Sequence, residues 1–315
     1  AVHVAEVAPA LPPLLRFRGQ ETLQIVGAAA MPKVLDAAVA GATAGTVPPE
    51  LPQRVFDAFL HPLLEVLRAG PAVRPEEALE PFAIAADAAA ALLRAARGQT
   101  TSQDTTLGGV ATSRGFLPSA PLAPGDAAAQ APLLSDLRGV VAASLARSNR
   151  RSQSFQANGG EDYDEDTFEE AETWEKDILT SVLEGSTALL EMFKQDIFED
   201  FHKNFGDIIQ EILPQNHAPV SARSFTYCMA IAALENGGPG AAAAYMPTFL
   251  PSVIGALGEA DAEVRQCAAY GCGAACRWGG ALFDAGAPHA LQGLFQMLAA
   301  EGAQEEENGA ATDNA

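Results

Sequence analysis

The sequence predicts an all-α fold in which antiparallel helix pairs stack side by side, and three observations support this. Residues 246–280 contain an apolar helical stretch, a short acidic turn and a second helical stretch rich in Ala, Gly and Cys. Neither stretch could bury its apolar face alone, so each pair needs neighbours. Alanine is abundant and aromatic residues make up only 7% of the chain, which favours closely packed helices. Alternating apolar and polar residues between hairpin turns, the signature of strands, are scarce.

The helix pairs recur at a regular distance in the second half of the chain. Leu213, Leu257 and Leu298 mark the apolar ends of three first helices and lie 44 and 41 residues apart. Arg223 and Arg265 open two successive second helices and lie 42 residues apart. HEAT repeats are helix pairs with a period of about 40–47 residues. The sequence therefore predicts a HEAT-repeat α-solenoid, which is a right-handed superhelix of antiparallel helix pairs.

Five helix pairs and the start of a sixth can be placed along the 315 residues. The predicted helices cover residues 4–17 and 21–40, 49–69 and 75–97, 133–147 and 170–193, 196–213 and 220–234, and the two stretches within 246–280. A further helix begins near Pro288 and reaches Leu298. Residues 1–98 thus form two HEAT pairs, residues 132–193 a third pair, and residues 194–300 the remaining repeats.

Three stretches interrupt this pattern. Residues 99–131 are rich in Thr, Ser, Gly and Pro and are predicted to be a flexible insertion. Residues 148–172 begin with the basic run SNRRSQS and continue into an acidic run, so they are predicted to form a loop. Residues 301–315 are polar and are predicted to be a tail that starts a truncated repeat.

The net charge of −21 is unevenly distributed. Residues 1–160 contain 13 basic and 13 acidic residues, whereas residues 161–315 contain 6 basic and 27 acidic residues. Direct binding to nucleic acid is not expected, because phosphate contacts need clustered Lys and Arg. Basic proteins are the expected partners of such a surface. No apolar run approaches the roughly 20 residues of a membrane span, so membrane insertion is not expected.

The acidic run at residues 161–172 is the candidate site for a basic partner. Eight of these 12 residues are acidic: Glu161, Asp162, Asp164, Glu165, Asp166, Glu169, Glu170 and Glu172. The run could capture a basic ligand, or could lie in a basic groove of its own protein. Alternatively, it is a solvated linker that keeps the array soluble. Tyr163 and Phe168 favour a binding role, since a purely solvating tract has little use for aromatic residues.

A structural role is predicted for three residues near helix starts. Asp261 can cap the free backbone N–H groups of the helix that follows it. Arg265, and Arg223 in the preceding repeat, are expected to pair with carboxylates of adjacent units and so form a ladder between repeats.

The chain shows no arrangement typical of an enzyme or a metal site. Cys267, Cys272 and Cys276 are separated by five and four residues, so their thiolates would not converge on one face of a helix. The five histidines are scattered, and neither a phosphate-binding loop nor a zinc-protease motif occurs. We therefore expect no catalytic residues, no metal, no cofactor and reduced cysteines.

Residues 261–280, DAEVRQCAAYGCGAACRWGG, resemble the signature repeat of importin-β-like nuclear transport receptors (karyopherin β), most closely the importin β3 branch. That branch has an acidic residue, then EVRQAAAYGLG and an aromatic-Gly-Gly ending. The matching residues are Glu263, Val264, Arg265, Gln266, Ala268, Ala269, Tyr270, Gly271, Gly273, Trp278, Gly279 and Gly280. The acidic EDYDE run and the ENGAATDN sequence near the chain end resemble family segments in the same order.

The resemblance implies a fragment from the middle-to-late part of a longer superhelix. Such receptors bind protein cargo, including basic nuclear proteins, the GTPase Ran and the Phe-Gly nucleoporins. They shuttle between cytoplasm and nucleus, and they are not enzymes; we expect a monomer. The family commonly carries an Asp-Arg-x-Trp motif and an Asp-Asp pair where this chain has Ala222, Phe225, Ile231 and Ala232. That departure puts an acidic cargo contact on this helix in doubt.

A HEAT scaffold of a phosphatase or tubulin-binding complex is the alternative function. Scaffolds of that kind tend to keep short, regular loops between helices, so the predicted long acidic loop argues against it. An acidic chaperone for histones or ribosomal proteins is a further possibility, and it overlaps with the cargo that the family carries.

Overall fold

The computed structural model describes residues 3–17, 20–70, 79–97, 130–157 and 165–299. Every regular element within these ranges is helical. The helices are α1 (Val4–Val7), α2 (Glu21–Thr43), α3 (Leu51–Ala69), α4 (Leu79–Ala96), α5 (Ala131–Ala157), α6 (Glu165–Phe193), α7 (Gln195–Ile212), α8 (Val220–Asn236), α9 (Gly238–Ala256), α10 (Ala262–Trp278), α11 (Ala281–Asp284) and α12 (Ala287–Ala299). The chain divides into two compact units, residues 1–189 and 190–315.

In the first unit, α4 is enclosed by its neighbours. Its alanine-rich sequence is buried along nearly the whole length of the helix, and it packs against α2 and α3. The spacing between packed helices depends on the size of the side chains at the contact. Leu93 of α4 lies so close to Gly185 of α6 that a Cβ atom there would be 3.2 Å from the Leu93 Cδ1 atom. Small residues thus permit the close packing that the composition indicated.

Helix α2 is long and apolar enough, by length and composition, to cross a membrane. The sequence-based statement that no such run exists therefore needs correction. The apolar face of α2 includes Met31, Leu35 and Ala38, all of them buried, and the helix packs against α3 and α4. These contacts bury one apolar face of α2 within the first unit.

The predicted helix at residues 4–17 is wrong as a single element. After the four-residue α1, the chain forms two short 3₁₀ helices, Ala8–Ala10 and Pro12–Arg16. Proline lacks a backbone N–H and its ring clashes with the preceding turn of an α-helix. Pro9, Pro12 and Pro13 therefore break this segment into short pieces. The predicted insertion at residues 99–131 lies almost entirely outside the described residues, as does the predicted tail at residues 301–315.

In the second unit, equivalent helices of consecutive pairs stack on one another. Helix α7 packs against α8, and α9 against α10, while α7 contacts α9 and α8 contacts α10. Five aromatic side chains in this core are almost completely buried: Phe201, Phe205, Tyr227, Tyr245 and Phe249. Each pair thus buries its apolar side against the next one, which is how repeat arrays gain stability.

Candidate protein-binding surface

The acidic run is mostly helical where the structure describes it. Helix α5 continues to Ala157 and α6 begins at Glu165, so the predicted loop at residues 148–172 is too long at both ends. Glu161, Asp162 and Asp164 lie outside the described residues. Glu165 and Asp166 lie in the first turn of α6.

The basic run SNRRSQS is also helical, and buried side chains in and just before it pair with acids of α6. Arg147 Nε lies 2.6 Å from Glu175 Oε1, and Arg147 Nη2 lies 2.8 Å from Glu175 Oε2. Ser144 Oγ donates a third hydrogen bond to Glu175 Oε2 at 2.6 Å. The Glu175 side chain is only 1% exposed and that of Arg147 6%. A two-pronged Arg–carboxylate pair of this kind is among the stronger hydrogen-bonded contacts in proteins.

A second carboxylate repeats the arrangement one turn away. Ser148 Oγ donates to Glu172 Oε2 at 2.8 Å, and Arg151 Nε donates to Glu172 Oε1 at 3.0 Å. Arg151 Nη2 also lies 3.2 Å from Glu175 Oε1, so the two pairs form one network. We call these six residues the α5–α6 ion-pair network: Ser144, Arg147, Ser148, Arg151, Glu172 and Glu175.

The network divides the predicted acidic site into two parts. The carboxylate of Glu172 accepts hydrogen bonds from Ser148 and Arg151 within the chain, and its contact with a basic partner stays a prediction. Glu169 and Glu170 are exposed on the first turns of α6. These two residues are the described part of the run that can face a partner.

Sequence reasoning missed the network because the run SNRRSQS was predicted to be part of a loop. A signal was present: Ser144, Arg147, Ser148 and Arg151 follow the spacing i, i+3, i+4, i+7, which places them on one face of a helix. A buried polar face follows the same helical period as an apolar one.

The residues predicted to form a ladder lie at helix starts, and two of them, Arg223 and Arg265, contact Glu259. Asp261 Oδ1 accepts a hydrogen bond from the backbone N–H of Val264 at 3.0 Å, which confirms the predicted cap. Arg223 Nη2 lies 2.8 Å from Glu259 Oε1, a contact from α8 to the turn of the next helix pair. Arg265 Nη1 donates to the carbonyl oxygens of Glu259 and Ala260, each at 2.7 Å. This contact of Arg265 therefore lies within its own helix pair.

Helix α7 presents further acids that the sequence analysis did not assign to a site. Its apolar residues face the core, whereas Asp196, Glu199, Asp207 and Glu211 are exposed. They recur at helical spacing opposite the buried phenylalanines, so the period of the helix could have placed them on one face. The described exposed acids of α6 and of α7 would attract a basic partner.

Solved structures of Kap121p share this arrangement of helices. No protein-family model matches the sequence. The crystal structure of Kap121p matches with a TM-score of 0.70 and 19% sequence identity, over 99% of this chain and 25% of that chain. Kap121p bound to RanGTP matches with a TM-score of 0.67 and 17% identity, over 99% of this chain and 24% of that one. Kap121p bound to Pho4p gives 0.68 and 18%, over 99% and 24%.

This chain has the karyopherin fold. The HEAT-repeat α-solenoid class predicted from the sequence is thereby confirmed, together with the resemblance to importin-β-like receptors at the level of the fold. The chain spans about a quarter of the length of the solved karyopherin chains that it matches. At 17–19% identity, the likeness establishes the fold and leaves the partners to be argued from chemistry.

Proposed function

We propose that this chain is part of a nuclear transport receptor and binds basic protein cargo through its acidic helices. The observation that carries the proposal is the match to Kap121p over 99% of this chain, including Kap121p bound to RanGTP. In the complete receptor, we expect binding to Ran loaded with GTP and to Phe-Gly nucleoporins, and shuttling between cytoplasm and nucleus. The chain acts by recognition and not by catalysis.

The charge of the second half supports a basic cargo. Residues 161–315 carry 27 acidic and only 6 basic residues, so a partner rich in Lys and Arg gains a long-range attraction that accelerates association. Among the candidate residues with described side chains, Glu169 and Glu170 are exposed and can contact that partner directly. The α5–α6 ion-pair network holds the helix that presents them.

Charge reversal on α6 tests the cargo proposal. The variant Glu169→Lys/Glu170→Lys should weaken binding of a lysine-rich protein, such as a histone or ribosomal protein, by about tenfold, because it replaces attraction with like-charge repulsion. Fluorescence anisotropy at several salt concentrations measures the affinity, and binding should weaken as salt rises.

The matched control is Asp196→Lys/Glu199→Lys on α7, which changes the net charge by the same amount at another helix start. If the α6 site is specific, the control variant loses less affinity than the α6 variant. Equal losses would show that α6 contributes no more to binding than α7. Unchanged affinity in both variants would exclude the acidic helices as the binding surface.

A pull-down with Ran separates the transport function from a HEAT scaffold of a phosphatase or tubulin-binding complex. Binding to Ran loaded with a non-hydrolysable GTP analogue, and not to Ran loaded with GDP, supports a transport receptor. Capture of tubulin or of a phosphatase catalytic subunit, without Ran, would support the scaffold.

A further inference from the structure

Two cysteines on stacked helices of the second unit lie within reach of each other. Cys228 Sγ of α8 is 3.8 Å from Cys267 Sγ of α10, and both side chains are half-buried. Helices α8 and α10 are the second helices of consecutive pairs and pack directly against each other. The two thiols therefore bridge one repeat to the next, 39 residues apart in the sequence.

The other two cysteines occupy different environments. Cys272 is buried, and Cys276 is exposed on the last turn of α10. Neither has a sulfur partner among the described residues of the structure. Among the described cysteines, the short sulfur–sulfur distance is therefore found only where α8 packs against α10.

From this geometry we propose that Cys228 and Cys267 form a reversible disulfide that staples α8 to α10 under oxidising conditions. A disulfide has an S–S distance of about 2.05 Å, so the two sulfur atoms must approach by nearly 2 Å. Rotation of each side chain about its Cα–Cβ bond moves the sulfur atoms, and the contact between the helices already places the two residues side by side. The proposal does not depend on the transport function.

The reaction balances with a small-molecule disulfide, such as oxidised glutathione, as the oxidant. One cysteine, after losing its proton to solvent, attacks the oxidant, forms a mixed disulfide and releases one glutathione thiolate. The second cysteine then loses its proton and attacks the protein sulfur of the mixed disulfide, which releases the second glutathione. Two electrons pass from the protein to the oxidant, and the products are one protein disulfide and two reduced glutathione molecules.

The surroundings of Cys228 lower its reactivity toward a disulfide. The hydrogen bond with Cys267, burial and the nearby Glu263 carboxylate raise the pKa of the Cys228 thiol above its ordinary value. The thiolate is the nucleophile in thiol–disulfide exchange. Because the raised pKa leaves little of Cys228 as thiolate, its attack on a disulfide is slow. The half-buried position still leaves the pair within reach of a small disulfide.

A staple between repeats would restrict bending of the array. In a repeat protein each unit contacts only its neighbours, so the shape changes by small adjustments at each contact. A covalent bond between α8 and α10 fixes one of these contacts. We therefore expect local unfolding of α8 and α10 to become slower.

Peptide mapping tests whether the bond forms. The full chain is incubated with oxidised glutathione, its remaining thiols are alkylated, and its peptides are mapped by mass spectrometry. We expect a linked peptide containing Cys228 and Cys267, whereas Cys276 is alkylated or carries glutathione. The variants Cys228→Ser and Cys267→Ser should each abolish the linked peptide, and Cys276→Ser should retain it.

A stable mixed disulfide at Cys228 or Cys267 without the linked peptide would overturn the proposal. So would a linked peptide that forms only in denaturant, since that would reflect the unfolded chain. Hydrogen exchange gives an independent measurement on the folded protein: oxidation should slow exchange about tenfold in α8 and α10, by limiting local opening, and leave α2 and α4 unchanged. Equal exchange rates in the oxidised and reduced protein would show that no staple acts on the fold.

Discussion

Two regions of this molecule hold their helices together by different chemistry. Helices α5 and α6 are joined through a buried network in which Arg147 pairs with Glu175 and Arg151 with Glu172. In the second unit, α7 to α10 pack through aromatic side chains, such as Phe249, and through glycines that allow close approach. The first region is held by buried opposite charges, and neither charge can be removed without leaving the other unpaired. The second region is held by close packing of apolar side chains. The two therefore differ in which single substitutions they tolerate.

The largest expected effect comes from removing one charge of the network. Glu175→Ala leaves the buried guanidinium of Arg147 without its carboxylate, and breaking a buried pair in this way costs about 3–5 kcal/mol of unfolding free energy. Denaturation in urea measures the loss. The control Glu169→Ala removes an exposed acid of the same helix and should change the stability by less than about 0.5 kcal/mol.

A double variant shows whether the ion pair itself stabilises the protein, or whether the single variant is unstable only because one buried charge is left unpaired. Replacing both partners, Arg147→Leu with Glu175→Leu, should recover much of the stability, because apolar residues of similar volume often replace a buried ion pair at little cost. If the double variant is as unstable as Glu175→Ala, the loss of stability arises because Ser144 and Arg151 have lost the Glu175 carboxylate as their partner.

The buried Cys272 thiol should lower the unfolding free energy at alkaline pH, where the exposed thiol of the unfolded chain ionises more readily. Burial raises the pKa of the Cys272 thiol from its ordinary 9.0 to about 11. Below pH 9 both the folded and the unfolded state keep this proton, so the thiol adds no pH dependence. Above pH 9 the unfolded state ionises first, and the unfolding free energy therefore falls as pH rises, by about 2–3 kcal/mol near pH 11.

Substitution isolates this contribution from the other groups that titrate at high pH. Urea denaturation of the wild type and of Cys272→Ala, measured at pH 8 and pH 10.5, should show a smaller pH-dependent loss in the variant. Cys276→Ala removes an exposed thiol and should keep the wild-type slope. Identical slopes for all three proteins would mean that Cys272 ionises in the fold as readily as in water.

The two regions also differ in how far the sequence could predict them. Helix starts and repeat spacing in the second unit were predicted, because apolar residues recur there at the helical period and Asp261 is a good cap. The α5–α6 pair was predicted, but the last turns of α5 and the first turns of α6 were predicted as loop, because charged runs are typical of loops and a sequence does not show which Arg will meet which Glu. The contact between Cys228 and Cys267 was out of reach for the same reason, since it depends on how two repeats are aligned.

Substitutions at two glycines of α10 test how closely this helix packs against α9, through small changes in the unfolding free energy. A Cβ atom on Gly271 would lie 2.9 Å from Val253 Cγ1 and 3.0 Å from Phe249 Cζ, whereas a Cβ atom on Gly273 would meet nothing within 4 Å. Both residues lie in the middle of the same helix, where Ala is favoured over Gly by about 0.5–1 kcal/mol. Gly273→Ala should therefore stabilise the protein by about that amount.

Gly271→Ala should instead destabilise it by about 1–3 kcal/mol, because the added methyl group forces α10 away from α9. The difference between the two variants, measured by urea denaturation, reports the contact between the helices with the gain in helix propensity cancelled. If both variants are stabilised equally, α9 and α10 can separate without cost. In that case the second region would depend on its large aromatic residues alone, and close approach at glycine would contribute nothing to the stack.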